Sequence, residues 1–279
     1  MEHIYMRFPG GRSRCLTLSY DDGVQQDVRL CGLMKQYGIA GTFNISTGVY
    51  VKEGHAFQPG RIHRRFSYSE ATAAYSNEPL FEVATHSATH PHLNRLPAAQ
   101  VTWEILSDRR NIEQQFGTLC RGHAYPYGAY NDQVIASLKA CGIVYARTVK
   151  NTGLFGLPDD FYQWHPTCHH NDPKLMELAD TFLADTEYRL PRLFYLWGHS
   201  FEFESEDNWY VIEEFFQQVA NRDTVWYATN IEIYDYVAAY AQLIWNADCT
   251  AVHNPTATDV WFLAGKQIYG VKAGQTLTL

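Results

Sequence analysis

Residues 15–20 read Cys-Leu-Thr-Leu-Ser-Tyr and are followed directly by Asp21, Asp22 and Gly23. A short apolar run that is rich in β-forming residues and ends in polar or turn-forming residues is typical of a buried strand. Gly23 allows the chain to turn after the two aspartates, so both carboxylates can face one pocket. The first strand is therefore predicted to end in a pair of carboxylates.

The same pattern recurs along the chain and alternates with segments of helical periodicity, such as residues 97–116 and 173–183. The predicted strands are residues 15–20, 41–45, 80–85, 122–125, 143–147, 193–197 and 225–229. Seven strands that alternate with helices predict an α/β fold with a parallel sheet, a seven-stranded (β/α) barrel.

The pattern changes after Trp245, where short β-like runs are separated by turn residues. We predict a barrel domain over residues 1–245 and a small β-rich extension over residues 246–279. The alternative is that residues 246–279 add edge strands to the barrel.

The composition excludes several classes of function. The chain has 279 residues, 46% of them hydrophobic, which is enough for one sizeable core. Its net charge of −8 argues against nucleic acid as a partner, because a phosphate backbone requires a basic surface. No segment resembles a signal peptide or a membrane span, which predicts a cytoplasmic protein without membrane contact; the oligomeric state stays open.

Polar residues follow four of the predicted strands: Asp21 and Asp22, His86, the 126–128 turn, and His199. The carboxyl ends of parallel strands meet at one rim of a barrel, where barrel enzymes carry their active sites. The sequence therefore predicts one functional site at this rim.

His86 and His90 are four residues apart, which on a helical turn would place both imidazoles on one face. Two imidazoles and one carboxylate of the Asp21–Asp22 pair form a ligand set for one divalent ion, with zinc favoured and cobalt, nickel or iron also suitable. The other carboxylate would act as a base. Taken singly, the histidine pair also fits surface residues, and the aspartate pair also fits a capped turn.

Together these residues resemble the polysaccharide deacetylases with the NodB homology domain, carbohydrate esterase family 4. That family carries T-F-D-D-G, matched by residues 19–23 (SYDDG), then H-S/T-x-x-H, matched by residues 86–90 (HSATH), and a late strand that ends in histidine. The resemblance spans residues 14–240 and implies that Asp21 is the base and His199 the acid. It also implies that Asp22, His86 and His90 hold the metal.

Two further elements are similar to the family with differences. Its R-P-P-Y-G motif appears here as residues 124–128 (AYPYG), so Ala124 replaces the arginine that holds the base carboxylate. Pro126 and Tyr127 would still line the acyl oxygen, and a backbone N–H there would serve as an oxyanion donor. Asp160 and Trp164 fit the region that positions the acid, and Asp160 is the predicted partner of His199.

The resemblance implies a metal-dependent hydrolase that removes N-acetyl groups from amino sugars or polysaccharides. One alternative is hydrolysis of small non-peptide amides such as cyclic ureides, because a fold does not determine a substrate. A second alternative is a carbohydrate-binding protein that has lost turnover. The basic residues at positions 61–65 are predicted to form a solvated loop rather than a site for an anionic substrate.

Overall fold

The computed structural model describes residues 3–184 and 189–279. The strands in these residues are β1 (Ile4–Arg7), β2 (Arg14–Asp21), β3 (Gly41–Ile45), β4 (Phe81–Thr85), β5 (Gly122–Ala124), β6 (Tyr145–Arg147), β7 (Cys168–His169), β8 (Arg192–Gly198), β9 (Val225–Tyr227), β10 (Ile244–Trp245), β11 (Ala251–His253), β12 (Val260–Ala264), β13 (Gln267–Val271) and β14 (Thr276–Thr278). The α-helices are α1 (Asp27–Tyr37), α2 (Tyr68–Tyr75), α3 (Ala98–Phe116), α4 (Asp132–Ala140), α5 (Leu175–Leu183), α6 (Ser200–Ser205), α7 (Tyr210–Val219) and α8 (Asn230–Ala241).

The main sheet has eight parallel strands in the order β6-β5-β4-β3-β2-β8-β7, with β9 also paired to β2. The predicted α/β barrel class is confirmed. The strand absent from the prediction is β7, which has only two residues, Cys168 and His169, and therefore no apolar run to reveal it.

The segment before β7 links the two edges of the curled sheet. Trp164 donates its N–H to Ala146 O on β6 at 3.1 Å, and Thr167 donates its N–H to Tyr195 O on β8 at 2.9 Å. The polar backbone groups at both edges thus find partners, and the sheet closes into an incomplete barrel.

Alternation along β2 separates the outer core from the barrel interior. Leu16, Leu18 and Tyr20 belong to the largest apolar cluster, which includes residues of α1, α5 and α7. On the opposite face, Thr17 donates to Asn230 Oδ1 at 3.0 Å and Ser19 accepts from Asn44 Nδ2 at 2.8 Å. The interior is therefore hydrogen-bonded and polar, and it leads up to the rim where Asp21 ends the strand.

The helices predicted over residues 97–116 and 173–183 are confirmed as α3 and α5. None of the helices in the described residues combines the length and the apolar character that a bilayer span requires.

The last strands form two small antiparallel sheets. One contains β1, β12 and β13, and the other contains β10, β11 and β14. The N-terminal strand β1 therefore pairs with the C-terminal part of the chain, as in the register of Ile4 with Ala264. The division at residues 245 and 246 stays a prediction, because it concerns separate folding units and the pairing alone does not define them.

Candidate metal and catalytic site

The predicted site residues meet at the carboxyl end of the parallel sheet. Asp21 ends β2, His86 follows β4, and His199 follows β8. The Nε2 atoms of His86 and His199 lie 3.9 Å and 4.0 Å from Asp21 Oδ2. Parallel register brings these strand ends to one level, so residues more than a hundred positions apart in sequence surround one carboxylate.

Residues 86–90 form a loop, so the prediction of a helical turn is wrong. Ser87 and His90 have φ angles of 64° and 57°, in the left-handed region that a right-handed helix excludes. The loop still brings the His86 and His90 rings together, with centroids 4.7 Å apart.

Asp22, His86 and His90 form a cluster whose ligand atoms all lie within 4.8 Å of one another. His86 Nδ1 lies 2.8 Å from Ala124 O, to which it donates in the tautomer that leaves Nε2 free. Burial lowers the pKa of His86 and lowers that of His90 to about 4, so both rings are neutral near pH 7, as metal binding requires. The residues present thus fit one divalent ion.

Asp22 is itself held by the 61–65 loop. His63 Nε2 lies 3.0 Å from Asp22 Oδ2, and Arg65 donates to Asp22 O at 2.8 Å and to Oδ1 at 3.2 Å. Arg64 pairs with Glu204 at 2.7 Å. Both arginines are thus paired with carboxylates around the site, and the loop that was predicted to be solvated instead holds Asp22 in place.

Helix α3 supports the loop that carries the histidines. The buried Asp108 carboxylate accepts from Thr47 N at 2.7 Å, from Thr85 Oγ1 at 2.5 Å and from His86 N at 3.2 Å. One turn earlier, Glu104 accepts from Thr89 N at 2.8 Å. Both ends of the loop are therefore anchored to one helix, which no motif in the sequence indicated.

Asp21 is buried, and its carboxylate contacts Arg147 and accepts from Asn44 Nδ2 at 2.9 Å. Burial raises the pKa of Asp21, but the charges of Arg147, His86 and His199 outweigh it, and the pKa lies below its usual value. Arg147 is paired with Ala124 in the register of β5 and β6. An arginine from the neighbouring strand therefore holds the carboxylate that Ala124 cannot reach.

Glu202, on the first turn of α6, is the carboxylate beside His199. Its Oε1 accepts from His199 Nδ1 at 3.1 Å. Asp160 instead accepts from Tyr162 N at 2.9 Å in a turn after β6, so the prediction that it pairs with His199 is wrong. An i, i+3 pair on a short helix keeps Glu202 close to His199, a spacing that the sequence did contain.

The remaining predicted residues lie around this centre. Pro126 is buried, whereas Tyr127, with a φ of 59°, is 60% exposed and stacks on His92 with ring centroids 4.0 Å apart. The Tyr127 ring also contacts the His90 ring at 4.6 Å. Trp164 is buried against Tyr195 at 4.9 Å, where it closes the barrel. Tyr127 thus lies at the rim and Trp164 in the wall.

One known family model matches the first half of the chain. Residues 9–146 match the family model described as polysaccharide deacetylase. This segment contains Asp21, Asp22, His86 and His90, whereas His199 lies beyond it.

Several solved structures are similar to this chain. A protein from Mycobacterium smegmatis that is described as a polysaccharide deacetylase has a TM-score of 0.57 at 18% identity, over 86% of this chain and 96% of its own. A pseudoenzyme of carbohydrate esterase family 4 from Bacillus anthracis has a TM-score of 0.48 at 19% identity, over 82% of this chain and 67% of its own.

The deacetylase PplD of Streptococcus pyogenes, solved with acetate, has a TM-score of 0.45 at 18% identity, over 53% of this chain. The match spans 61% of the length of the PplD chain. Only the first of these three likenesses is close enough to bear on the fold.

Proposed function

Residues 9–146 belong to the polysaccharide deacetylase family, and we propose that the chain is a metal-dependent hydrolase that removes N-acetyl groups from amino sugars. The observation that carries the proposal is the position of Asp21. Its Oδ2 atom lies 3.9 Å from Nε2 of His86, which belongs to the His/His/Asp ligand cluster, and 4.0 Å from Nε2 of His199. A base, a metal-ligand set and an acid thus face one small volume.

Asp22, His86 and His90 would hold the metal, for which zinc is proposed and cobalt, nickel or iron would also suit the ligands. A divalent ion there would supply Lewis acidity, which polarises the acyl oxygen and makes water a better nucleophile. His63 and Arg65 keep the Asp22 carboxylate oriented, and Ala124 O keeps the His86 ring oriented.

Asp21 would accept the proton of the attacking water. Arg147 keeps its carboxylate ionised near neutral pH and aims it toward the cluster. A divalent ion that makes the attacking water more acidic would make proton transfer to this weak base less unfavourable.

His199 would protonate the leaving nitrogen, because an amide anion is too basic to depart near neutral pH. Burial lowers the pKa of His199, but the hydrogen bond to Glu202 and the charge of Asp21 outweigh it and place the pKa above its usual value. This shift favours the protonated ring, and Nε2 lies on the side of Asp21.

The rim offers a surface for a sugar ring. Tyr127 is exposed beside the ligand His90, and its stacking on His92 restricts the ring. Aromatic faces pack well against the apolar face of a pyranose, since they bury area at little conformational cost. We propose that the Tyr127 side chain lines the sugar site and that a backbone N–H of the 126–128 turn serves the acyl oxygen.

The test is acetate release from N-acetylated chitin oligosaccharides by protein loaded with one equivalent of zinc. We expect release by the native chain and by Asp248→Asn, an exposed aspartate between β10 and β11 that serves as a matched control. Asp21→Asn should lose activity. Breakdown of a cyclic ureide without acetate release would support the alternative enzyme, and sugar binding without any turnover would support a binding protein.

A further inference from the structure

Glu202 is the centre of a cluster of three histidines. Its Oε1 faces His199 Nδ1, while its Oε2 lies 3.1 Å from His169 Nε2 and 3.2 Å from His170 Nε2. No lysine or arginine pairs with Glu202 among the described residues. The carboxylate next to the proposed acid is therefore held by imidazoles alone.

The spacing of His169, His170 and Glu202 also suits a metal ion, but the hydrogen bond at the far side of His169 argues against one. Asn171 donates its backbone N–H to His169 Nδ1 at 3.1 Å. Nδ1 is thus the acceptor, and the proton of the neutral ring is on Nε2, which faces Glu202. A histidine that binds metal through Nε2 carries its proton on Nδ1 and donates it, which is the opposite arrangement.

The position of His169 is fixed by the sheet. It lies on β7, in register with Trp197 on β8, and its ring contacts the Trp197 ring at a centroid distance of 4.6 Å. The side chain is 18% exposed. Backbone pairing and ring packing thus hold Nε2 at 3.1 Å from Glu202 Oε2 independently of His199.

His170 is the fully buried histidine of the cluster around Glu202. Its ring lies between Tyr20 and Phe203, with centroid distances of 5.7 Å and 4.0 Å. A Cβ at Gly198 would lie 2.0 Å from His170 Nδ1, so only glycine fits beside the ring. Glu202 Oε2 is shared by the two imidazoles and makes no well-aligned hydrogen bond to either of them, which leaves the better-aligned contact on Oε1, with His199.

We propose that His169 is a positioning residue that acts through Glu202, fixing the proton of His199 on Nδ1 and directing Nε2 toward the substrate. The proposal rests on the role of His199 given under Proposed function. The contacts from His169 to Glu202 and from Glu202 to His199 do not depend on that role. In the reaction the Nε2–H bond of His199 breaks and an N–H bond forms on the leaving nitrogen as the acyl C–N bond breaks. His199 is left as a neutral ring with its proton on Nδ1, and Glu202 keeps its own charge throughout.

The electrostatics agree with this arrangement. Burial raises the pKa of Glu202, but its contacts with His169, His170 and His199 outweigh that effect and hold the pKa far below its usual range. Burial lowers the pKa of His170 to about 4, so that ring stays neutral near pH 7. The other charged groups that face His199 are Asp21, the last residue of β2, and Asp22, which follows it.

Glu202→Gln should lower the pKa of His199 by about one to three units, the usual effect of losing an adjacent opposite charge. His169→Ala should lower it in the same direction by less, because Glu202 loses one of the contacts that orient it. His169→Gln should resemble the native chain, since the amide Nε2 of glutamine can donate in place of the histidine Nε2–H. His253→Ala, in the C-terminal sheets, is the matched control.

The experiment is an NMR titration of the His199 ring nitrogens in zinc-loaded protein, which reports the pKa and the tautomer without any substrate. We expect neutral His199 to carry its proton on Nδ1 in the native chain and in His169→Gln, and to lose this preference in His169→Ala and Glu202→Gln. Near-ultraviolet circular dichroism of each variant checks that it is folded.

Activity supplies the second measurement. Turnover of the N-acetyl substrate should fall about 10²-fold in Glu202→Gln and about tenfold in His169→Ala, with little loss on an activated acetate ester, whose leaving group needs no proton. A native tautomer and pKa in His169→Ala would overturn the proposal. So would the loss of a second bound zinc in that variant, which would identify a metal site. The expected titrations without acetate release would refute the proposed function alone.

Discussion

Arg147 and Ala124 face each other across β5 and β6, and it is Arg147 that contacts the Asp21 carboxylate. Ala124 occupies the position at which the R-P-P-Y-G motif of the polysaccharide deacetylases has the arginine that holds the base. Parallel register places Arg147 on β6 at the same level as Ala124 on β5. Its long side chain therefore brings the guanidinium to Asp21 from the neighbouring strand. The Arg147 guanidinium also lies 4.6 Å from the Trp197 ring centroid, which restricts it further.

Arg147→Ala should raise the pKa of Asp21, since burial is then opposed by fewer charges, and move the acidic limb of the pH–rate profile upward. A buried carboxylate that loses its partner also costs about 3–5 kcal/mol of stability, measurable by urea unfolding. Arg121→Ala, which removes an exposed pair with Asp235, is the control. The double variant Arg147→Ala/Ala124→Arg should recover part of the activity, and an unshifted acidic limb in the single variant would contradict this assignment.

Removal of the metal should abolish turnover, and zinc should restore it. His86→Ala should lose the bound metal, because this ring is the more deeply buried of the two imidazoles and Ala124 O orients it. Metal analysis after dialysis checks this, with His253→Ala as the control. Native stoichiometry in His86→Ala would show that the ion is held elsewhere.

Asp21→Asn should retain the metal and lose about two to four orders of magnitude in turnover, the usual contribution of a positioned base. The variant keeps the shape of the side chain and its hydrogen bond to Asn44, so the loss would report proton transfer. Turnover close to that of the native chain would mean that another group removes the proton.

Asp108→Asn should weaken metal binding by about 10- to 100-fold, the usual effect of losing an outer group that supports a ligand. An amide has one acceptor oxygen and two N–H donors, whereas Asp108 accepts from Thr47, Thr85 and His86. The 86–90 loop would therefore lose part of its anchor on α3. Zinc competition with a chromophoric chelator measures the change against Asp223→Asn, an exposed aspartate, and equal affinities would contradict a supporting role.

The strand ends were predictable because an apolar, β-rich run indicates a buried strand, and the polar residues that follow it indicate the rim of the barrel. Asp21, His86 and His199 meet for that reason. The conformation of residues 86–90 was not predictable from spacing, since i, i+4 histidines fit a helix as well as a loop whose Ser87 has a positive φ. The partners Arg147 and Glu202 depended on lateral register and on a short helix, which periodicity does not reveal.

The short strand β7 escaped prediction for a related reason. Strands are recognised from apolar alternation over several residues, whereas β7 pairs only through Cys168 and His169. Its place is determined by the chain that crosses from Trp164, which is bonded to the edge strand β6, to β8, beside which β7 forms the opposite edge. The cluster around Glu202 exists only because of this crossing.

Asp27, at the start of α1, is a buried carboxyl with three hydrogen bonds. It accepts from Tyr75 Oη and Ser200 Oγ, each at 2.5 Å, and from Val24 N at 3.1 Å. It thereby links α1, α2 and α6. Burial raises its pKa from 3.8 to about 6, and the charge of Asp22 adds to the shift, although the hydrogen bonds oppose it.

A carboxyl with a higher pKa in the folded chain binds its proton more readily there than in the unfolded chain. Its contribution to stability is therefore complete below pH 3.8 and is lost as the pH rises through about 6. A shift of about two units corresponds to about 3 kcal/mol in the free energy of unfolding. Asp27→Asn removes this titration, so the stability of the native chain relative to the variant should fall by about that amount between pH 4 and pH 7. Urea unfolding at several pH values measures the difference. If the free energies of unfolding of the two proteins differ by the same amount at every pH in this range, Asp27 is ionised to the same degree in the folded and the unfolded chain.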